Sequence, residues 1–135
     1  MQKLKNKVAV ITGGGSGIGL ATAKKFIAEG ARVAITGRSQ KKLDAAISEL
    51  GLSAIAIQGD VSNLNDLTRI YQTVEQKLGK VDTLIVNAGV YVIAPLPDFT
   101  EEMFDKVSDI NFKGAFFSVQ KALPVLKDGA SIVLI

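Results

Sequence analysis

The 135-residue chain contains neither cysteine nor histidine. The first absence excludes disulfides, thiolate nucleophiles and cysteine-ligated zinc. The second excludes a Ser-His-Asp triad and any histidine-held metal within the chain, so no metal site is expected. Acid–base chemistry is left to carboxylates, lysine, tyrosine or a bound water. Tyrosine is itself scarce, with Tyr71 and Tyr91 the only two. Long hydrophobic runs are missing as well: the apolar stretches fall far short of a membrane span. The basic start, Met1 to Lys7, leads only into Val8–Thr12, too short for a signal-peptide core. A cytoplasmic protein without membrane contact is the expectation. Positive charge is not concentrated either. The net charge is +3, and Lys24, Lys25, Lys41, Lys42, Lys121 and Lys127 are spread as on solvated helix faces. A nucleic-acid surface needs denser basic clusters with stacking aromatics, so nucleic acid is not an expected partner.

What the chain does have is apolar substance, 47% of its residues, enough for a buried core and too much for a disordered segment. Short runs rich in Val, Ile and Ala recur at Val8–Thr12, Arg32–Thr36, Ala54–Gln58, Val81–Val86 and Ser131–Ile135. They are apolar on both faces, as suits parallel strands covered by helices on each side. Between them lie amphipathic stretches, Gly17–Glu29, Gln40–Leu50, Leu64–Leu78 and Glu101–Leu126, which predict four helices. Gly30, Gly51, Gly79 and Gly129 each fall between a predicted helix and the next strand, where a left-handed residue ends a helix. Ser62 or Asn63 can cap the third helix and Thr100 the fourth. Val90–Phe99, with Pro95 and Pro97, reads as a loop. The alternation predicts a Rossmann-type, doubly wound α/β fold: a parallel sheet in the order 3-2-1-4-5 with helices on both faces.

Between the first strand and first helix stands Thr12-Gly13-Gly14-Gly15-Ser16-Gly17-Ile18-Gly19. In such a turn Gly13 takes a conformation closed to other residues, Gly17 lets backbone approach a phosphate, and Gly19 lets helix pack on strand. The helix start then offers free N–H groups and partial positive charge to an anion, with the Ser16 hydroxyl beside them. A nucleotide-triphosphate loop has the spacing of Gly14 and Gly19 but requires Lys and Ser or Thr where Leu20 and Ala21 stand. A dinucleotide pyrophosphate is therefore the expected ligand of Gly13, Gly15, Ser16, Gly17, Ile18 and Gly19. Dinucleotide folds that take NAD commonly place an acid at the end of the second strand, to hold the adenosine ribose. No acid occurs here between Glu29 and Asp44. Arg38, assisted by Ser39 or Lys42, can instead fork onto a 2′-phosphate. NADP(H) is the preferred cofactor on this reading, with NAD(H) possible.

Three further positions stand out. Asp60 follows the third strand on the side where open α/β sheets bind ligands, a position from which it can also cap a helix. Asn87, at the end of the fourth strand, can bridge neighbouring strand ends or touch a cofactor. Asn111 interrupts an otherwise apolar helical stretch, where its amide must find partners.

Taken together, Thr12-Gly-x-x-x-Gly-x-Gly19, Gly59-Asp60-Val61-Ser62, Asn87-Ala88-Gly89 and Ile110-Asn111-Phe112-Lys113-Gly114 resemble the N-terminal half of a short-chain dehydrogenase/reductase of the single-domain type. The resemblance runs from about Lys7 to Ile135, so residues 1–135 are expected to be the dinucleotide-binding part of one domain. It implies hydride transfer between a nicotinamide and an alcohol or carbonyl substrate. It implies that Asp60 meets the adenine, that Val61, Asn87, Ala88 and Gly89 belong to the cofactor site, and that Asn111 belongs to the catalytic set. It also implies a homodimer or homotetramer built in part on the fourth helix, whose Phe104, Val107, Ile110, Phe112, Phe116, Phe117, Val119 and Leu123 are apolar almost all round. One departure is minor: Val86 precedes Asn87 where the family often shows a second asparagine.

The rest of the family's catalytic set is absent. A Tyr-x-x-x-Lys pair is missing, because Glu75 follows Tyr71 by four residues and Pro95 follows Tyr91 by four. Ser131 begins the predicted fifth strand instead of following it, so it is not the family's serine. The fold is thus expected to be truncated after the fifth strand, since an apolar open edge invites aggregation. The chain then reads as part of a longer reductase; the alternatives are a non-catalytic dinucleotide-binding module or an interaction subunit completing its sheet with another chain. On all three readings the purified 135-residue chain is inactive. An absorbance assay with NADPH and a panel of ketones and aldehydes should show no carbonyl-dependent oxidation; turnover would overturn this.

Overall fold

The computed structural model describes every residue, Met1–Ile135. Five strands form one parallel sheet: β1 Val8–Thr12, β2 Arg32–Gly37, β3 Ala54–Gln58, β4 Val81–Val86 and β5 Leu126–Leu134. Their order is β3-β2-β1-β4-β5, as the alternation predicts. Three helices match expectation closely: α1 Gly17–Ala28, α2 Gln40–Leu50 and α3 Leu64–Leu78. Gly30, Gly51 and Gly79 take positive φ where these helices end. Asn63, not Ser62 or Asp60, caps α3, its side chain accepting from the Asn65 and Asp66 N–H groups. Thr100 caps the next helix by accepting from Met103. No helix is long and apolar enough to cross a membrane.

Alternate residues of each strand feed opposite faces, so the sheet has two cores. Ala9, Ile11, Val33, Ile35 and Ile85 pack under α1 and α2 with Ala23, Leu43 and Ala46. Val8, Val10, Ala34 and Leu84 pack on the other face against Leu67, Ile70, Tyr71 and Val74 of α3. The Tyr71 hydroxyl donates to the Ser118 carbonyl at 2.6 Å. Burial pushes this phenol well above the usual tyrosine range, so it stays protonated.

Two expectations are corrected. The single helix over Glu101–Leu126 is instead α4 Glu101–Ser108, a π-helical turn over Asp109–Lys113 and α5 Gly114–Ala122, followed by a 3₁₀ turn at Leu123–Val125. The Gly114 N–H reaches back five residues to the Asp109 carbonyl, and Pro124 has no N–H to continue α5. An apolar periodicity near 3.6 does not register one extra residue in a turn. The fifth strand begins at Leu126, not Ser131, so Ser131 lies within it, opposite Thr83. The segment between Leu126 and Ser131 bulges against the single residue Asp82 of β4, and Gly129, expected at a helix end, sits in this bulge with φ 80°.

The bulge brings Lys127 Nζ within 3.0 Å of Asp82, which also accepts from the Val8 N–H at 2.9 Å and faces Lys7. Burial pushes the Asp82 carboxyl up, but the Val8 N–H and the Lys127 and Lys7 ammonium groups outweigh it and leave it below the usual carboxylate range. A depressed folded-state value means that Asp82 stabilises the fold fully above the ordinary aspartate range, and that this contribution is lost as acid protonates it. Asp82→Asn should cost about 1–3 kcal/mol at neutral pH and weaken the loss of stability below about pH 4. Urea unfolding midpoints measured across pH 3 to 7 test this.

Candidate dinucleotide site

The ends of β1, β2, β3 and β4 open on one cleft of about 230 Å³. It is the crevice that a doubly wound sheet leaves beyond its strand ends, where the connections diverge to opposite faces. One wall is the glycine turn. Gly13 has φ 65°, and a side chain there would strike the Ala88 backbone at 2.9 Å. A Cβ on Gly19 would collide with the Gly13 carbonyl and lie 2.7 Å from Asn87 Nδ2. Around Gly17, φ 55°, a Cβ meets nothing within 4 Å, so the space beside that backbone is open. Ser16 is the N-cap of α1, yet its side chain makes no capping hydrogen bond, leaving the hydroxyl beside the open helix start.

Asn87 holds this wall to β4. Its Nδ2 donates to the Thr12 carbonyl at 3.2 Å and the Gly13 carbonyl at 3.1 Å. The N–H groups of Asn87 and Ala88 donate to Thr12 Oγ1 at 2.9 and 3.0 Å. The Asn87 side chain thus bridges the ends of β4 and β1.

The second wall comes from the end of β2. Arg38 and Ser39 line the cleft beside Gly13, Gly15 and Ser16. Ser39 caps α2, accepting from the Lys42 N–H at 3.3 Å. Arg38 is exposed, and none of the ion pairs in the chain involves it or Lys42. Thr36 is a lining residue that composition and spacing gave no reason to single out. Its Oγ1 is buried without a hydrogen-bond partner, a costly state in a protein interior.

Asp60 and Val61 form the third side. Asp60 Oδ1 accepts from the Ser62 N–H and hydroxyl at 2.9 and 2.7 Å. The Asp60 N–H donates to Asp66 at 2.9 Å, which, with the nearby Arg69 guanidinium, holds the Asp66 carboxyl below its usual range despite some opposing desolvation. Ala88, Gly89, Val90 and Ile110 close the fourth side. Asn111 stands behind Val90, donating to its carbonyl at 2.7 Å and accepting from its N–H at 2.8 Å. Contrary to a setting inside an apolar helix, Asn111 is exposed and sits in the π turn. The structure thus brings Gly13, Gly15, Ser16, Arg38, Ser39, Asp60, Val61, Ala88 and Gly89 to the cleft lining; Gly17, Ile18, Gly19, Asn87 and Asn111 lie beside or behind it. Val90 and Ile110 carry no sequence signal of their own, being apolar residues in apolar company.

The short chain dehydrogenase family pattern matches residues 7–135. The chain belongs to the short-chain dehydrogenase/reductase family. It is 48% identical to an oxidoreductase, asL5, of Sarocladium schorii, over 99% of this chain and 55% of that protein. It is 38% identical to the NADP-dependent (R)-specific alcohol dehydrogenase of Lentilactobacillus kefiri, over 97% of this chain and 54% of that one. A crystal structure of a short-chain dehydrogenase/reductase from Brucella melitensis, glucose/ribitol dehydrogenase, superposes with a TM-score of 0.94 at 31% identity, covering 98% of this chain and 57% of the other. The chain spans about half the length of the curated relatives it matches.

Family members bind NAD or NADP, and the cleft fits such a group on three counts. A glycine-lined backbone faces an uncapped helix start, unpaired cations stand opposite it, and the Thr36 hydroxyl lacks a partner that a ligand can supply. Gly19→Ala should force the Gly13 carbonyl aside, costing about 1–3 kcal/mol of stability and abolishing dinucleotide binding. Urea unfolding and calorimetric titration measure the two effects separately.

Proposed function

We propose that the chain is the cofactor-binding part of an NADP(H)-preferring oxidoreductase that interconverts an alcohol and a ketone or aldehyde in the cytoplasm. Arg38 carries the choice of cofactor. It follows β2 directly, lines the cleft next to Ser39 and Lys42, and has no ion-pair partner. An adenosine 2′-phosphate is a dianion, and two of its terminal oxygens can be held at once by the planar fork of a guanidinium. No acid occupies the end of β2, between Glu29 and Asp44, to prefer a bare ribose diol. The Lentilactobacillus kefiri relative is NADP-dependent, which supports this reading.

The other assignments follow the cleft. Gly13, Gly15, Ser16, Gly17, Ile18 and Gly19 receive the pyrophosphate at the start of α1. Asp60 and Val61 wall the adenine. Asn87, Ala88 and Gly89 hold the strand end towards the nicotinamide half. Asn111 keeps Val90 in place through both of its amide groups and is the one member of the catalytic set in the chain. The bound dinucleotide supplies hydride chemistry; the residues present bind and orient it. The apolar stripe of Phe104, Phe112, Phe116 and Leu123, each more than half exposed, suits a second copy of the chain in a dimer or tetramer.

A second reading is a dinucleotide-binding module without catalysis. Both readings require binding. Titration calorimetry should show NADPH binding at least about tenfold more tightly than NADH, the value of one charge-assisted contact of about 1.4 kcal/mol. Arg38→Leu should erase that difference. Equal affinities in the unaltered chain, or tighter NADH, would overturn the NADP assignment.

A further inference from the structure

Next to the main cleft lies a second, shallower hollow lined by Arg38, Gln58, Gly59, Asp60, Asp66 and Arg69. It shares Arg38, Gly59 and Asp60 with the cleft. None of the motifs accounts for Gln58 or Arg69, yet they form the floor between the ends of β2, β3 and α3. The backbone ladder stops here: Gly37 pairs with Gln58, and the Gly59 N–H donates to the Gly37 carbonyl at 3.0 Å. One residue further on, the Arg38 carbonyl is held by a side chain, Gln58 Nε2, at 2.9 Å. Arg69 in turn donates from Nη2 to the Gln58 carbonyl at 2.7 Å, and the same nitrogen lies 3.3 Å from Asp66 Oδ1. Asp66 is anchored at its other oxygen by the Asp60 N–H. A continuous chain of hydrogen bonds thus runs from the Asp60 loop through α3 to the peptide after Arg38.

We propose that Gln58 and Arg69 are positioning residues for cofactor selectivity: they fix the backbone from which Arg38 projects, through the Gln58 hydrogen bond to the Arg38 carbonyl. The proposal rests on the reading of Arg38 as the 2′-phosphate ligand and extends it. The reason is entropic. An exposed arginine at a loop start must be ordered when it binds, and part of that cost is met beforehand if its peptide is already fixed. Because a peptide is planar and trans, holding the Arg38 carbonyl towards β3 also turns the Ser39 N–H the opposite way. Only a ligand that uses Arg38 gains from this order. NADPH does, and NADH does not.

Gln58→Met keeps the length of the side chain and removes the donor. Calorimetric titration of the 135-residue chain should show NADPH binding weakened about five- to tenfold, in the range of one hydrogen bond, with NADH affinity unchanged within about twofold. Arg69→Met should act in the same direction. Because it works through Gln58, the double variant should be no worse than the weaker-binding single one. Thermal melts of each variant keep global destabilisation apart from selectivity. Equal weakening of both cofactors, or an unchanged ratio, overturns the proposal. Additive losses in the double variant also overturn it, since Arg69 would then touch the phosphate itself. If the unaltered chain shows no preference for NADPH, the Arg38 assignment has failed and the proposal falls with it, an outcome visible before any substitution is made.

Discussion

Two backbone segments meet where the Gly13 carbonyl occupies the space a side chain on residue 19 would need. That contact lets α1 start directly against β1, so the open, uncapped start of the helix stands at the strand ends beside the cleft. The same carbonyl accepts from Asn87 Nδ2, so the turn is joined to β4 as well as to its own helix. Thr12 adds the reciprocal link, its hydroxyl accepting from the Asn87 and Ala88 N–H groups. The mouth of the cleft is therefore preorganised by groups that need not touch a ligand. A turn held in this way is ordered in advance, unlike a flexible glycine loop.

The opposite side of the cleft is set by the π turn. Ile110 from that turn lines the cleft, and Asn111 beside it clamps both backbone groups of Val90. At its far end Gly114 abuts Val61, whose Cγ2 lies 2.8 Å from where a Cβ would stand. One irregular turn thus touches the two walls formed by Val61 and by Val90. A regular α-helix would rotate these side chains by about 100° for each residue removed and could not serve both contacts.

Strand order, the placement of α1, α2 and α3, and the glycine turn were legible because each follows from a local rule: apolar runs on both faces, caps, and glycines at helix ends. Arg38 was legible for the same reason, since its position is counted along the chain from the end of β2. The π turn was not, because the apolar residues recurring from Phe104 to Leu123 suit a straight helix equally well. The start of β5 was hidden by Lys127-Asp128-Gly129, whose turn-like residues belong to a bulge within the strand. Asn87 was legible as a polar group at a strand end, but which groups it bridges needed its distances to Thr12 and Gly13. Thr36 shows the limit most directly. Its hydroxyl matters because it lacks a partner, and unpaired status is a property of the folded neighbourhood alone.

The bulge in β5 has a consequence for register. Parallel strands hold one another through evenly spaced hydrogen bonds, and a slip of two residues along β4 would keep the same faces inward. Little in the apolar pairing of Leu84, Ile85 and Val86 with Ile132, Val133 and Leu134 forbids it. Asp82 does. Its carboxylate stands where β1 begins, bonded to the Val8 N–H, and the surplus residues of the bulge carry Lys127 over it. Sliding β5 by one pleat would move Lys127 about 7 Å along the strand and break the pair. A charged contact at one end of the sheet thus acts as an index mark, fixing the register of β5 on β4.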